Sequence, residues 1–386
     1  MPIVHSESLR QLATSGTISD SEVAHKISVG LDGFCTMWTE EVLPFIAAGG
    51  SELRFVEGAY GRGKTHMLRV LSKISEERGF LTCYTSCGTD SEPFESLETT
   101  YRAVAKNIRW INGGEPVIGL PRILETVSCQ NLTNLRNSPQ VVAPVRNLCR
   151  AYHEFRKDRL AQSSTVTDLR ELLIGNNSHR VLFRELFRNN PTLPRPISKL
   201  GKRNAGQWLR SLLSLPRLLG FKGIIVMFDE TGADLHMKKI GKRLRQAHMA
   251  NLRNLIDHMA IGDLPGCAIV YGVTNDLLEL AKADYPALAQ RIERTEDPQM
   301  WKALESNPRA VWTDLDELTD PQPPSVEFFV ALGQRLVSLA NETGSCQKTP
   351  REVEGIIRKA IQQASETAQD DSIRVFVKRI AGSLLT

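Results

Sequence analysis

One short stretch, VEGAYGRGKTHML, constrains this 386-residue chain more than any other. It fills every fixed position of the pattern G-x-x-x-x-G-K-[ST], with Gly58, Gly63, Lys64 and Thr65. The apolar run before it predicts a buried strand, Leu53 to Val56, and apolar residues at helical spacing after it predict a helix. A glycine-rich loop between a strand and a helix predicts a nucleotide-phosphate site rather than a plain turn.

The residue types of this loop suit phosphate binding. Glycines let the backbone wrap with its N–H groups pointing inward, and those amides attract phosphate oxygens together with the helix N-terminus. Lys64 is expected to reach the β- and γ-phosphates, and the hydroxyl of Thr65 to hold Mg²⁺. ATP and Mg²⁺ are therefore the predicted cofactors. The predicted nucleotide contacts of the loop are Gly58, Ala59, Tyr60, Gly61, Arg62, Gly63, Lys64, Thr65 and His66.

Two acidic residues follow another apolar run, GIIVMF, which predicts a strand covered on both faces, Ile224 to Phe228. Asp229 is expected to position Mg²⁺, with Thr65 as the second metal-site residue, and Glu230 to polarise the attacking water. A strand that ends in two acids is common by itself. The phosphate loop elsewhere in the chain favours the catalytic interpretation.

A third buried strand, Ala268 to Val273, ends in Thr274 and Asn275, which could orient the lytic water as sensor 1 does in AAA+ ATPases. The helix after it contains Arg291 and Arg294. In such folds an arginine there reaches the neighbouring subunit's site as a finger, and Arg291 is preferred for that role. The alternative is that both arginines are ordinary surface residues.

A later segment, KTPREVEGIIRKAI, predicts a helix that Thr349 caps and Pro350 begins. Arg351 then lies on the first turn, where a positive charge is unfavourable for the helix dipole. It could reach back to the γ-phosphate in the manner of a sensor 2 arginine. A plain surface arginine is the alternative.

Charge is unevenly distributed along the chain. The net charge is +4, but residues 131–220 contain sixteen Lys or Arg and five Asp or Glu, so this segment is +11 and the remainder −7. Arg180, Arg184 and Arg188 are spaced by four, so they share one helix face. That face could bind the phosphate backbone of a nucleic acid. An acidic partner protein, or a solvated surface, would explain the charge equally well. The predicted contacts to double-stranded DNA are Arg180, Arg184, Arg188, Lys199, Lys202 and Arg203.

Other features restrict the class of protein. Seven scattered cysteines without zinc spacing predict reduced thiols and no structural metal site. No apolar run is long enough to span a membrane, and the N-terminus lacks a secretory pattern. These observations lead us to expect a cytoplasmic protein.

Taken together, LRFVEGAYGRGKTHMLRVL, the GIIVMFDETG segment, VTND, YPALAQRI and TPREV resemble the BREX-system ATP-binding proteins of BrxC and BrxD type. These are AAA+ ATPases related to replication-origin initiators. The resemblance covers about residues 18–120 and 201–377, and leaves 131–196 without a counterpart. It implies a homo-oligomeric ATPase coupled to DNA, or to a helicase or nuclease partner, in anti-phage defence, as in a Shango-type operon. It also places Ile27 and Val29 beside the adenine.

The predicted fold class is α/β, a P-loop NTPase of AAA+ type with a central parallel sheet. We expect an N-terminal helical arm (1–50) and a core (51–320) that contains a mostly helical basic insertion at about 92–219. A C-terminal helical lid (321–386) would follow. The predicted function is ATP hydrolysis. A nucleotide-dependent interaction module with negligible turnover is the alternative, and the long insertion disfavours a small-molecule kinase.

Overall fold

In a computed structural model of the chain, the strand before the phosphate loop is an inner strand of the sheet. The structure describes residues 2–59, 61–86, 96–136, 138–157, 163–176, 180–195, 197–229, 241–273, 276–292, 311–319, 325–344, 348–366 and 372–385. Within these residues one sheet has the strand order β4-β3-β2-β5-β6-β1-β7. Its strands are β1 (Ser51–Glu57), β2 (Leu81–Ser86), β3 (Ile108–Asn112), β4 (Glu115–Ile118), β5 (Ile224–Asp229), β6 (Cys267–Val273) and β7 (Val311–Asp314).

Five of these strands, β2, β5, β6, β1 and β7, run parallel. Their register aligns Glu57 with Val273 and Asp229 with Gly272, so the carboxyl ends of β1, β6 and β5 meet at one edge. In parallel α/β sheets ligands bind beyond this edge. The strand order therefore brings the phosphate loop and the acidic strand end together.

Helices surround the sheet and account for most of the chain. Those before β5 are α1 (Pro2–Ser15), α2 (Ser21–Ile27), α3 (Asp32–Met37), α4 (Leu43–Ala48), α5 (Lys64–Glu77), α6 (Leu97–Asn107), α7 (Leu120–Thr126), α8 (Cys129–Leu135), α9 (Ala143–Lys157), α10 (Ser163–Leu173), α11 (Arg180–Asn189) and α12 (Ala205–Leu218). A π-helical turn, Trp38–Val42, joins α3 to α4. Those after β5 are α13 (Lys242–Ala260), α14 (Asp276–Asp284), α15 (Pro286–Ile292), α16 (Leu315–Leu318), α17 (Val326–Glu342), α18 (Pro350–Ser365) and α19 (Ser372–Leu385).

The strands are buried on both faces because alternate residues enter two separate cores. On one face Phe55, Val226 and Ile269 pack with the helices of the insertion and with α13. On the other face Val56 and Met227 pack with α5, the N-terminal helices and the C-terminal helices. This two-sided burial explains why the strands read as continuous apolar runs.

The N-terminal and C-terminal helices pack against each other. Helix α1 lies along α19, and α2 contacts both α5 and α17. Thus the segment that precedes the sheet links the helix of the phosphate loop to the C-terminal helices. No helix in the described part of the chain is long and apolar enough to cross a membrane.

The structure contains three strands that sequence reasoning did not predict: β3, β4 and β7. The described residues of segment 92–219 are mostly helical, but they also contribute the antiparallel hairpin β3–β4 to the edge of the sheet. Its two-residue connection is Gly113-Gly114, a pair that favours tight hairpins, and Pro116 lies in the edge strand, where proline is tolerated. Strands β1, β5 and β6 lie where predicted; β1 is longer by two residues at its start and one at its end, and β5 and β6 are each longer by one residue.

Candidate nucleotide-binding site

The glycine-rich loop has the backbone that its sequence requires. Gly61 and Gly63 adopt φ of 82° and 94°, values that side chains disfavour, and Lys64 begins α5 directly afterwards. A Cβ at Gly58 would lie 3.3 Å from Leu315 Cδ1, so a side chain there would press on the start of α16. The loop is thus specified by local conformation. Tyr60 lies outside the described residues.

Lys64 is buried and its ammonium group points into the loop. Its Nζ donates to the carbonyl oxygen of Gly58 at 2.6 Å and to that of Ala59 at 3.0 Å. The positive charge therefore lies inside the curve of the backbone, where a phosphate group would bind. This geometry fits the phosphate-binding role predicted for the loop.

The acidic end of β5 meets the first turn of α5. Thr65 Oγ1 donates to Asp229 Oδ2 at 2.7 Å, although the two residues are 164 positions apart in the chain. The phenol of Tyr84, on β2, donates to the same oxygen at 2.5 Å. Sequence reasoning missed Tyr84, because nothing in the pattern of β2 distinguishes it from a packing residue.

The donor set fits Mg²⁺. Asp229 is buried, and its second carboxylate oxygen, Oδ1, has no hydrogen-bond partner. The hydrogen of the Thr65 hydroxyl is directed to Asp229, so the lone pairs of Thr65 Oγ1 remain available to a cation. Hydroxyl and carboxylate oxygens are the hard ligands that Mg²⁺ prefers. The orphaned buried oxygen is the observation that favours a cation here.

Gly272 is a second residue that sequence reasoning missed. A Cβ at this position of β6 would lie 3.6 Å from Asp229 Oδ1, 3.7 Å from Lys64 Cβ and 3.4 Å from Leu68 Cδ1. Because glycine has no Cβ, Gly272 leaves space between Lys64 and Asp229. Glycine inside an otherwise apolar strand often marks a close approach, so YGV in β6 carried a readable signal.

His66, next to Thr65, is half-buried at the junction of three elements. Burial, and then the positive groups His25 and Arg335, lower its pKa from 6.5 to about 4. Arg335 comes from α17 and donates to the backbone carbonyl of Ser28, between the two residues predicted beside the adenine. The C-terminal helices thus contact the same chain segment as the phosphate-loop helix.

The other predicted residues of the described chain have varied surroundings. Ile27 and Val29 are buried in the core on the α5 face of the sheet.

The predicted arginines of the described chain differ in their surroundings. Arg62 Nε lies 3.4 Å from Asp316 Oδ1, and Arg291 Nε lies 2.5 Å from Asp257 Oδ1. Arg351 is exposed on the first turn of α18. The predicted residues outside the described ranges are Tyr60, Glu230, Thr274, Asn275 and Arg294.

The basic segment presents charge to solvent on α11 and beyond. Arg184 and Arg188, one turn apart on α11, are both exposed. Lys202 and Arg203 are exposed as well, and Lys199 is half-buried. The side chain of Arg180 is not among those described.

A parallel α/β sheet, a glycine-rich loop that encloses its lysine, and a threonine bonded to the acid of a nearby strand define a P-loop protein. Comparison with protein families agrees. The family described as BREX system ATP-binding protein BrxC/D matches residues 8–144 and 197–385, and the chain belongs to this family. Residues 145–196, which include α10 and α11, lie outside the match. Neither a curated protein nor a solved structure matches the chain.

Proposed function

We propose that this protein is an AAA+ ATPase that binds ATP with Mg²⁺ and hydrolyses it as an oligomer, coupled to DNA or to a DNA-processing partner in anti-phage defence. The observation that carries the proposal is the contact between Thr65 and Asp229, which joins the phosphate loop to an acidic strand end. Phosphate binding alone would require only the loop. An adjacent acid with an open oxygen adds the metal site that phosphoryl chemistry needs.

The residues have distinct roles in the proposed reaction. Lys64 and the loop amides bind the β- and γ-phosphates, and Thr65 and Asp229 hold the metal. A Mg²⁺ ion held by Thr65 and Asp229 would supply positive charge to stabilise the phosphoryl group during transfer. Glu230 directly follows Asp229 in the chain and is proposed to polarise the attacking water.

The position of β6 supports a sensor role for Thr274 and Asn275. Strand β6 lies between β1, which leads into the phosphate loop, and β5, which ends in Asp229. Strand β6 therefore ends, at Val273, between the phosphate loop and the acid, and Thr274 and Asn275 are the next residues in the chain. This is where a polar group could orient water beside the γ-phosphate.

The proposed organisation follows the same scheme. Residues 51–320 would form the AAA+ core with the insertion at 92–219, residues 321–386 the lid, and residues 1–50 an arm. Contacts of α1 with α19, and of α2 with α5 and α17, support an arm that links lid and core. Movement of the lid on nucleotide binding would then be transmitted through the arm.

Replacing the proposed base tests the ATPase assignment. Glu230→Gln should abolish phosphate release and leave ATP binding intact, because the amide keeps the shape of the side chain but cannot act as a base. Lys64→Ala should abolish binding itself. Glu354→Gln, a swap at a largely exposed side chain on α18, is the matched control and should behave as wild type. Unchanged turnover in Glu230→Gln would remove Glu230 from the mechanism.

One observation favours the alternative of a nucleotide-dependent interaction module. The preferred finger, Arg291, is bonded to Asp257 of its own chain rather than projecting freely. A finger held in this way would keep turnover low. Assembly on a non-hydrolysable ATP analogue, with no phosphate release in the presence of DNA or partner proteins, would support this alternative.

Direct DNA binding is proposed through the exposed arginines of α11. Because such contacts neutralise phosphates, Arg184→Glu with Arg188→Glu should weaken duplex binding and flatten its salt dependence. Arg10→Glu with Arg78→Glu makes the same change of charge at exposed sites elsewhere and is the control. Equal binding by both double variants would leave α11 as solvated surface.

A further inference from the structure

Tyr84 approaches the site from the strand next to the acid-bearing one. Strands β2 and β5 pair in parallel with Ser86 opposite Asp229 and Tyr84 opposite Met227. Tyr84 is therefore on the same face as Asp229 but two residues before its pairing position. A long side chain reaches such a diagonal neighbour, and the phenol of Tyr84 does so, at 2.5 Å from Asp229 Oδ2.

Two donors hold one oxygen of the acid and leave the other free. Both Thr65 Oγ1 and the phenol of Tyr84 donate to Asp229 Oδ2, whereas Oδ1 has no partner. This asymmetry fixes the rotation of the carboxylate. Oδ1 is directed to the space beside Gly272, on the side of the lysine.

The side chain of Arg69 stacks on the ring of Tyr84. The guanidinium carbon of Arg69, on the phosphate-loop helix α5, lies 3.3 Å from the centre of the Tyr84 ring. Stacking on Arg69 therefore restrains the ring while its hydroxyl donates to Asp229 Oδ2.

We propose that Tyr84 is a positioning residue for the metal site: its hydrogen bond holds the Asp229 carboxylate in the orientation that binds Mg²⁺ together with the nucleotide. The inference rests on the proposed function, since it assigns Tyr84 to the site of the proposed ATPase. Groups that orient metal ligands in this way contribute strongly to metal affinity, and removing one lowers that affinity about 10- to 100-fold.

Tyr84→Phe tests this role, because it removes one oxygen and keeps the ring beneath Arg69. The measurement is binding of a fluorescent ATP analogue at increasing Mg²⁺ concentration, and again in EDTA. We expect the Mg²⁺ concentration that gives half of the maximal increase in analogue binding to rise about tenfold or more. The affinity for the analogue in EDTA should be unchanged. A purely structural role would lower the melting temperature without moving the Mg²⁺ requirement.

Tyr152→Phe is the matched control. The phenol of Tyr152 donates to Glu125 Oε1 at 2.7 Å, so its removal also deletes a tyrosine–carboxylate hydrogen bond, within the insertion. This variant should keep the wild-type Mg²⁺ requirement. Binding of Mn²⁺ to the protein–ATP complex, followed by electron paramagnetic resonance, provides a second readout that needs no turnover.

The outcomes separate this inference from the proposed function. Wild-type protein that binds nucleotide without any influence of Mg²⁺ would overturn the metal site, and with it both proposals. A wild-type protein that requires Mg²⁺, together with an unshifted requirement in Tyr84→Phe, would overturn the role of Tyr84 alone. A shift in Tyr84→Phe that Tyr152→Phe shares would also overturn it.

Discussion

Arg291 and Asp257 are joined by a hydrogen-bonded ion pair, with 2.5 Å between Arg291 Nε and Asp257 Oδ1. The carboxylate also lies 3.4 Å from Arg253 Nε, and Arg291 donates to the carbonyl of Ala287. Partial burial raises the pKa of Asp257, but the hydrogen bond and charge of Arg291 outweigh it and the pKa falls below its ordinary value. The acid thus stays charged and keeps the arginine within its own chain.

Releasing this arginine should change turnover if Arg291 acts on a neighbouring subunit. Asp257→Asn weakens a partly exposed pair worth up to about 1 kcal/mol, so we expect turnover to rise about two- to fivefold. Arg291→Ala should instead lower it about a thousandfold or more. ATP hydrolysis as a function of protein concentration measures both effects, with Asp263→Asn as the control at an exposed surface pair. A fall in turnover with Asp257→Asn would mean that the pair orients Arg291 for catalysis.

The ion pair inside β1 should dominate stability near the site. Arg54 is fully buried, donates to Glu52 Oε1 at 2.7 Å and to Thr313 Oγ1 at 2.8 Å, and so ties β1 to β7. Arg54→Met leaves Glu52 as an uncompensated buried charge, which should cost about 3–5 kcal/mol of the free energy of unfolding. The double variant Arg54→Met with Glu52→Leu should recover most of that loss in urea unfolding. No recovery would show that packing of Arg54 on Phe34 and Trp38, rather than charge, holds this region.

The space left by Gly272 should be required for nucleotide binding. Gly272→Ala adds only ordinary contacts of 3.4–3.7 Å and should be tolerated. Gly272→Val adds two further methyl groups between Lys64 and Asp229. Overpacking should then lower the free energy of unfolding by about 1–3 kcal/mol. Calorimetric titration with ATP should therefore show a clear loss of affinity for the valine variant and none for the alanine variant. Full affinity in Gly272→Val would place the nucleotide away from this gap.

His66 should make the fold sensitive to acid. Its pKa in the folded protein is about 4, below the ordinary 6.5, so between these values the unfolded chain binds a proton that the folded chain excludes. Stability should therefore fall as the pH falls from 6.5 toward 4, by on the order of 1–2 kcal/mol at pH 5. His66→Gln should remove this part of the slope in urea unfolding at pH 7.5 and pH 5. Parallel profiles for the two proteins would contradict the prediction.

Agreement between sequence and structure is closest where a signal is local. The phosphate loop was predicted because eight consecutive residues specify its backbone, including the glycines at positive φ. The strands that lead to Asp229 and Val273 were predicted because burial on both faces produces continuous apolar runs. The hairpin β3–β4 was missed because its short strands, at the edge of the sheet, lie within a segment dominated by helical periodicity.

The sequence by itself determined a phosphate loop and an acidic strand end, since each of these is encoded in contiguous residues, and the family, since its short motifs can be identified one by one. Only the tertiary structure decided that Tyr84 contacts Asp229 and that Arg291 contacts Asp257. Tyr84 lies 145 positions from Asp229 in the chain, and Arg291 lies 34 from Asp257. Such pairs depend on strand order, register and helix packing, which hydrophobic periodicity does not encode. The physical reason is that periodicity reports whether a residue is buried, whereas the fold alone selects its neighbours.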